Sequence, residues 1–224
     1  MDFSQISDTQ RKLLETGKEL FSIYGFEGTS LRMIASAAGT NVAAMAFHFK
    51  NKENFYSEVL NYVANDMSSY FRSLEPWKND ADSGALSAND AFEVISAIIK
   101  EHIHTAIDLP EPAMIRLVYW EQTYAPGGVT PILNTIEKYS EQFLADLLEA
   151  FWKDSGISPA ESRVISRLIN GGIMSLGEHA VFLESAGKRD DPEWVAWVKE
   201  TIYSFVMATI RGYGEMRRNT LPGK

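Results

Sequence analysis

Almost every stretch of this 224-residue sequence carries apolar residues at helical spacing, and no run alternates with the period of two that a half-buried strand requires. That pattern predicts an all-α fold. Gly25, Gly39, Pro110, Pro112, Gly127-Gly128, Gly156 and Pro192 punctuate it into about nine helices. The first follows Ser7-Asp8-Thr9-Gln10, which has the form of a capping box, and ends at Gly25. Its apolar stripe is Leu13, Gly17, Leu20, Phe21 and Tyr24. Two short helices follow, one after Thr29-Ser30 and one from Asn41 to about Phe49. A longer one runs from Lys52 to about Leu74, and the rest lie near 89–107, 111–124, 129–154, 159–186 and 192–216. Residues 75–88, EPWKNDADSGALSA, read as a loop.

With 45% apolar and 23% charged residues, the chain has enough core-forming material for a globular fold. The absence of cysteine excludes a disulfide framework and thiolate metal ligands. MDFSQISD has neither a basic start nor an apolar core, so no secretory signal is expected. The longest apolar run, Val42 to Phe47, is too short to span a bilayer. A soluble cytoplasmic protein without membrane association is expected.

A net charge of −9 argues against nucleic acid as a partner until its distribution is seen. Residues 1–56 hold six acids and six bases, so the whole excess lies beyond them. Between Thr29 and Lys52 there are three bases and no acid. A local basic surface, not the overall charge, is what meets phosphate.

Within that stretch, two short helices joined at a glycine describe a helix-turn-helix. Ala35 and Ala38 allow close approach, and Gly39 can adopt the left-handed conformation the turn needs. Asn41, Ala43, Ala44, Phe47 and His48 would then point away from an inner stripe of Val42, Met45, Ala46 and Phe49. In a DNA complex this third helix would enter the major groove, with Phe47 and Ala44 against thymine methyl groups. Thr29 and Ser30 would face a phosphate at the start of the second helix. Composition and spacing alone leave a plain helical hairpin in an all-helical core equally open.

The stretch FSIYGFEGTSLRMIASAAGTNVAAMAFHFKNKENFYSEVL resembles the DNA-binding region of TetR-family transcriptional regulators. It shares a glycine-aromatic pair, Thr29-Ser30, Ile34-Ala35, Ala38-Gly39 and the closing run His48-Phe49-Lys50-Asn51-Lys52-Glu53. The resemblance implies a DNA-binding domain over residues 1–54, and a ligand-binding and dimerisation domain over residues 55–224. It implies a phosphate contact at Lys52, a second-helix cap at Thr29 or Ser30, and a base or phosphate contact at Arg32. Recognition contacts are implied from Asn41 to Ala44 and at Phe47 and His48. Most relatives carry a phosphate-binding tyrosine just before the histidine-aromatic pair. Ala46 and Phe47 stand there in this sequence, so that contact is lost and DNA shape gains weight in recognition.

No phosphate loop, nucleophile elbow or metal-spaced cluster accompanies this motif, so neither an enzyme nor a cofactor is expected. His102 and His104 lie two apart on one helix and cannot chelate together; both are expected at the solvent boundary. His179 shares a stripe with Leu168, Gly172, Leu176 and Leu183, as either a hydrogen-bonded interior histidine or a ligand contact. Glu121 shares a face with Met114, Leu117 and Val118, which requires either a basic partner or a polar spot in a cavity. A ligand pocket is therefore expected among Met114, Tyr119, Glu121, Gln122, Tyr139, Phe143 and His179, suited to an apolar or aromatic molecule with one cationic or polar group. The last two long helices are apolar on more than one face and are expected to form a homodimer. The expectation is a repressor released from a palindromic operator by a small molecule. The alternative is a helical interaction protein with a weakened DNA-binding head and no effector.

Overall fold

The chain enters its first helix through a closed capping box. Ser7 Oγ accepts from the Gln10 N–H (3.2 Å), and the Gln10 side chain accepts from the Ser7 N–H (3.0 Å). Two of the donors that a helix start leaves open are thereby satisfied. The computed structural model describes residues 3, 5–71, 75–108, 112–124, 130–178 and 191–220, and every regular element among them is helical. In order these are α1 (Asp8–Gly28), α2 (Leu31–Ala37), α3 (Val42–Phe49), α4 (Lys52–Phe71), α5 (Glu75–Asp82), α6 (Ala88–Ile107) and α7 (Pro112–Tyr124). There follow α8 (Pro131–Thr135), a π-helical segment π1 (Ile136–Gln142), α9 (Phe143–Phe151), α10 (Pro159–Glu178) and α11 (Pro192–Thr220). No helix among the described residues is long and apolar enough to cross a membrane.

Two predicted segments take a different form. Residues 75–82 are helical rather than looped, because Pro76 falls in the first turn, where a missing N–H is harmless. The stretch 129–154 is not one regular helix, since π1 separates α8 from α9.

The chain divides into two compact units, one of residues 1–72 and 111–136, the other of residues 73–110 and 137–224. The core of the first is built from Leu13, Leu14, Phe21, Ile34, Met45, Phe49, Phe55, Val59 and Leu117. Gly17 is what lets α1 and α4 meet there: a Cβ at this position would stand 2.6 Å from the Phe55 ring and 2.9 Å from Val59. A polar tie reinforces the pair. Tyr62 Oη donates to Glu15 (2.6 Å), which also pairs with the buried Lys18 ammonium (2.8 Å). Burial, aided by Glu15, pushes the Tyr62 phenol up to about 12. Burial alone would raise Glu15, but the bonds from Lys18 and Tyr62 outweigh it and hold the carboxyl below its ordinary value. Tyr24, expected on the inner stripe of α1, is exposed, and Leu14 takes the buried place instead.

In the second unit, Ile95, Ile98 and Ile99 of α6 pack with Phe143, Leu144, Leu147 and Leu148 of α9. Trp152 closes this core, its indole N–H donating to the Ile210 carbonyl (3.0 Å), and Gly214 leaves room for it. His102, expected at the solvent boundary, lies in this unit's interior at 5% exposure. It falls on the same stripe as Ile95, Ile98, Ile99 and Ala106, and neither ring nitrogen has a hydrogen-bond partner. Burial lowers its pKa to about 4, so the ring is neutral at pH 7. His104 is the exposed one of the pair, bonded through Nδ1 to Asp108 (2.6 Å).

Candidate DNA-binding surface

The turn between α2 and α3 is set by backbone geometry. The Thr40 N–H donates to the Ala35 carbonyl (2.8 Å) and the Gly39 N–H to the Ser36 carbonyl (3.2 Å), with Gly39 at φ 64°. These are the two bonds of a Schellman motif, which favours glycine at the left-handed position. Ala35 and Ala38 are buried beneath it, as close helix approach demands. Ser30 caps α2 by accepting from the Met33 N–H (3.2 Å), and Asn41 caps α3 by accepting from the Ala44 N–H (2.7 Å).

Thr29 plays a different part from the one expected. It is 2% exposed, and its hydroxyl donates to the carbonyls of Gly25 (2.8 Å) and Leu20 (3.2 Å). Its side chain ties the start of α2 to Gly25, whose positive φ (68°) breaks α1, which leaves Ser30 as the outward hydroxyl. The outward face of α3 is also rotated. Met45 and Phe49 are buried and Ala44 and His48 half-buried, whereas Asn41, Val42, Ala43, Ala46 and Phe47 are exposed. Val42 and Ala46 thus stand outside, not on the inner stripe. Phe47 is 83% exposed, with the His48 ring edge-on to it at 5.2 Å. Arg32 is exposed on α2, and the Lys12 ammonium lies beside the turn, 3.7 Å from where a Cβ of Gly39 would stand.

Between α3 and α4 the backbone makes a γ-turn at Lys50 (φ 66°, ψ −61°), closed by the Asn51 N–H donating to the Phe49 carbonyl (2.8 Å). A non-glycine residue in this conformation costs roughly 1–3 kcal/mol. Asn51 then caps α4, accepting from the Asn54 N–H (2.8 Å). Lys52, in the first turn of α4, holds its ammonium 4.2 Å from the centre of the Phe26 ring.

Of the expected ligand residues, Glu121 is 3% exposed. No base among the described residues pairs with it; one carboxylate oxygen accepts from the Tyr56 hydroxyl and the other has no partner among them. Burial, then the bond to Glu121, raises the Tyr56 phenol well above its ordinary range. Met114 packs half-buried on the same core, whereas Tyr119 and Gln122 are exposed. Tyr139 and Phe143 belong to the other unit, Phe143 in its core, and His179 lies outside the described residues. Tyr56 and Trp120 were not expected to matter. Tyr56 stands four residues after Lys52 on the same helix, a spacing the sequence already displays.

A glycine-turned pair of short helices with an exposed, acid-free second helix defines a helix-turn-helix protein. Residues 13–59 match the model of the family described as bacterial regulatory proteins, tetR family. Over that segment the chain is similar to the DNA-binding region of the tetR family. It is 27% identical over 141 residues to the probable HTH-type transcriptional regulator YttP of Bacillus subtilis (strain 168), covering 62% of this chain and 63% of that one. It is 38% identical over 55 residues to the HTH-type transcriptional regulator AcrR of Shigella flexneri, covering 25% and 26%. The chain thus spans less than two thirds of the length of either relative. Its fold is similar to that of AibR, solved in complex with isovaleryl coenzyme A and operator DNA, with TM-score 0.60 and 18% identity over 90% of this chain and 97% of that one.

Proposed function

We propose that this protein is a ligand-responsive transcriptional repressor that binds a palindromic operator as a homodimer and leaves it when a small molecule binds. The observation that carries the reading is the outward face of α3, small and apolar, flanked by Ser30, Arg32, Lys50 and Lys52 with no acid between Thr29 and Lys52. Ala43 and Ala44 let the helix sit deep in the major groove, and Phe47 reaches thymine methyl groups. Asn41 spends its side-chain oxygen on the cap and keeps its amide group as a donor. Residues 1–54 carry the DNA contacts in this reading, and residues 55–224 carry the ligand and dimer functions.

Two further observations support it. On α10, Val164 and Leu168 (68% exposed) face solvent beside Gly171 and Gly172, where an added Cβ would meet nothing. On α11, Trp197 and Phe205 (72% exposed) do the same. Stripes of this kind are what a two-fold interface covers. The half-satisfied carboxylate of Glu121 suits a polar or cationic group on an otherwise apolar effector. AibR, solved with both an acyl-coenzyme A and operator DNA, supports a small-molecule switch on this fold.

The test is Lys52→Ala, assayed on duplex fragments selected by the purified protein. The variant is expected to bind all sequences more weakly, with the salt dependence flatter by about one unit of slope. Unchanged affinity and slope would remove Lys52 from the phosphate contacts.

A further inference from the structure

Two adjacent residues of α7 grip two different elements of the DNA-reading head, and Lys52 stands where those elements meet. The Trp120 indole N–H donates to the Ser22 carbonyl (3.1 Å), and its ring covers Gly25, where a Cβ would lie 3.4 Å from the ring carbons. Gly25 is the break in α1 (φ 68°), and it directs the chain into Phe26. Its carbonyl also receives the Thr29 hydroxyl, so the start of α2 hangs on the same residue. Glu121, the next residue of α7, accepts from the Tyr56 hydroxyl on α4. The Tyr56 ring packs against Phe21 (4.7 Å) and Phe26 (5.0 Å), and Phe26 carries the Lys52 ammonium on its face.

We infer that Trp120 and Glu121 are positioning residues for DNA binding, acting through Gly25, Phe26 and Tyr56 to fix where the Lys52 ammonium stands. The inference rests on Lys52 as a phosphate contact. Packing alone gives no reason for an acid at position 121. A carboxylate with one neutral donor and one unpartnered oxygen is a costly thing to bury, and leucine, as at Leu117 one turn earlier, would fill the face. What the acid supplies is an acceptor aimed at Tyr56, and with it a fixed first turn of α4. A ligand group that claimed this carboxylate would release Tyr56, and the effect would appear at Lys52.

The experiment uses the full chain and a duplex fragment recovered from a random library by selection with this protein. Tyr56→Phe keeps the ring contacts with Phe21 and Phe26 and removes only the hydroxyl. It is expected to weaken binding by about three- to tenfold and to flatten the salt slope. In a Lys52→Ala background the same change is expected to alter affinity by less than about twofold, because its effect runs through Lys52. Glu121→Gln keeps an acceptor for Tyr56 and is expected to bind as wild type, whereas Glu121→Leu is expected to follow Tyr56→Phe. The inference is overturned if folded Tyr56→Phe binds with unchanged affinity and slope, or if its loss adds in full to that of Lys52→Ala. Should Glu121→Leu fail to fold, the Tyr56→Phe and Lys52→Ala cycle decides alone. A wild-type protein that binds no duplex, or a Lys52→Ala protein that binds as wild type, overturns the reading of Lys52 itself and the positioning role with it.

Discussion

At the scale of single residues, the most telling groups are polar ones in apolar surroundings. His102 has two unpartnered nitrogens and a pKa lowered by burial from 6.5 to about 4. The unfolded chain therefore binds a proton that the folded chain refuses between those two values. Stability from this group is complete above about pH 6.5, falls as pH drops towards 4, and levels off below. The loss is on the order of 3 kcal/mol. His102→Leu is expected to remove that part of the acid sensitivity and to leave stability at pH 7 unchanged or higher. Urea unfolding of both proteins at pH 7.5 and 4.5 checks this, and parallel losses in the two would contradict it. The burial of His102 was legible in its spacing from Ile95, Ile98, Ile99 and Ala106, although its polarity argued for the surface. For Thr29 the reverse held. Its type and position suggested a phosphate contact, and only the three-dimensional path of the chain at Gly25 turns its hydroxyl inward.

At the scale of elements, caps and close approaches account for most of what was readable beforehand. Ser7, Ser30 and Asn41 start α1, α2 and α3 as their hydroxyl or amide side chains allow, and Gly39 ends α2 through the Schellman bonds. The facing of α3 was not readable, because Val42, Ala43, Ala44 and Ala46 are small and apolar all round and give an eight-residue helix no clear inner side. The helix α5 was missed because proline, asparagine and aspartate favour turns and the first turn of a helix alike. Gly17 offers a direct check on the packing of α1 against α4. Gly17→Ala puts a methyl group into the Phe55 ring. Despite alanine's higher helix propensity, a loss of about 1–3 kcal/mol is expected in a thermal or urea melt. A gain in stability would show that α1 and α4 stand further apart than described.

At the scale of the whole molecule, the acidic balance of the chain and the proposed DNA-reading surface are reconciled by segregation, since the net charge of −9 lies entirely beyond residue 56. In the proposed dimer, a second copy of the chain covers the exposed apolar residues of α10 and α11. Leu168→Glu combined with Phe205→Glu is expected to shift the protein from dimer to a 25.1 kDa monomer in light scattering and to weaken operator binding with it. An unchanged dimer would place the interface elsewhere. Whether the protein is a two-fold regulator that reads the major groove with α3 is decided by sequencing the duplexes that the purified protein selects from a random library. The expected result is an inverted repeat, its half-sites about one helical turn or a multiple apart, bound by two chains and released as salt rises. Recovery of no enriched sequence, or of an asymmetric site filled by one chain, would contradict it.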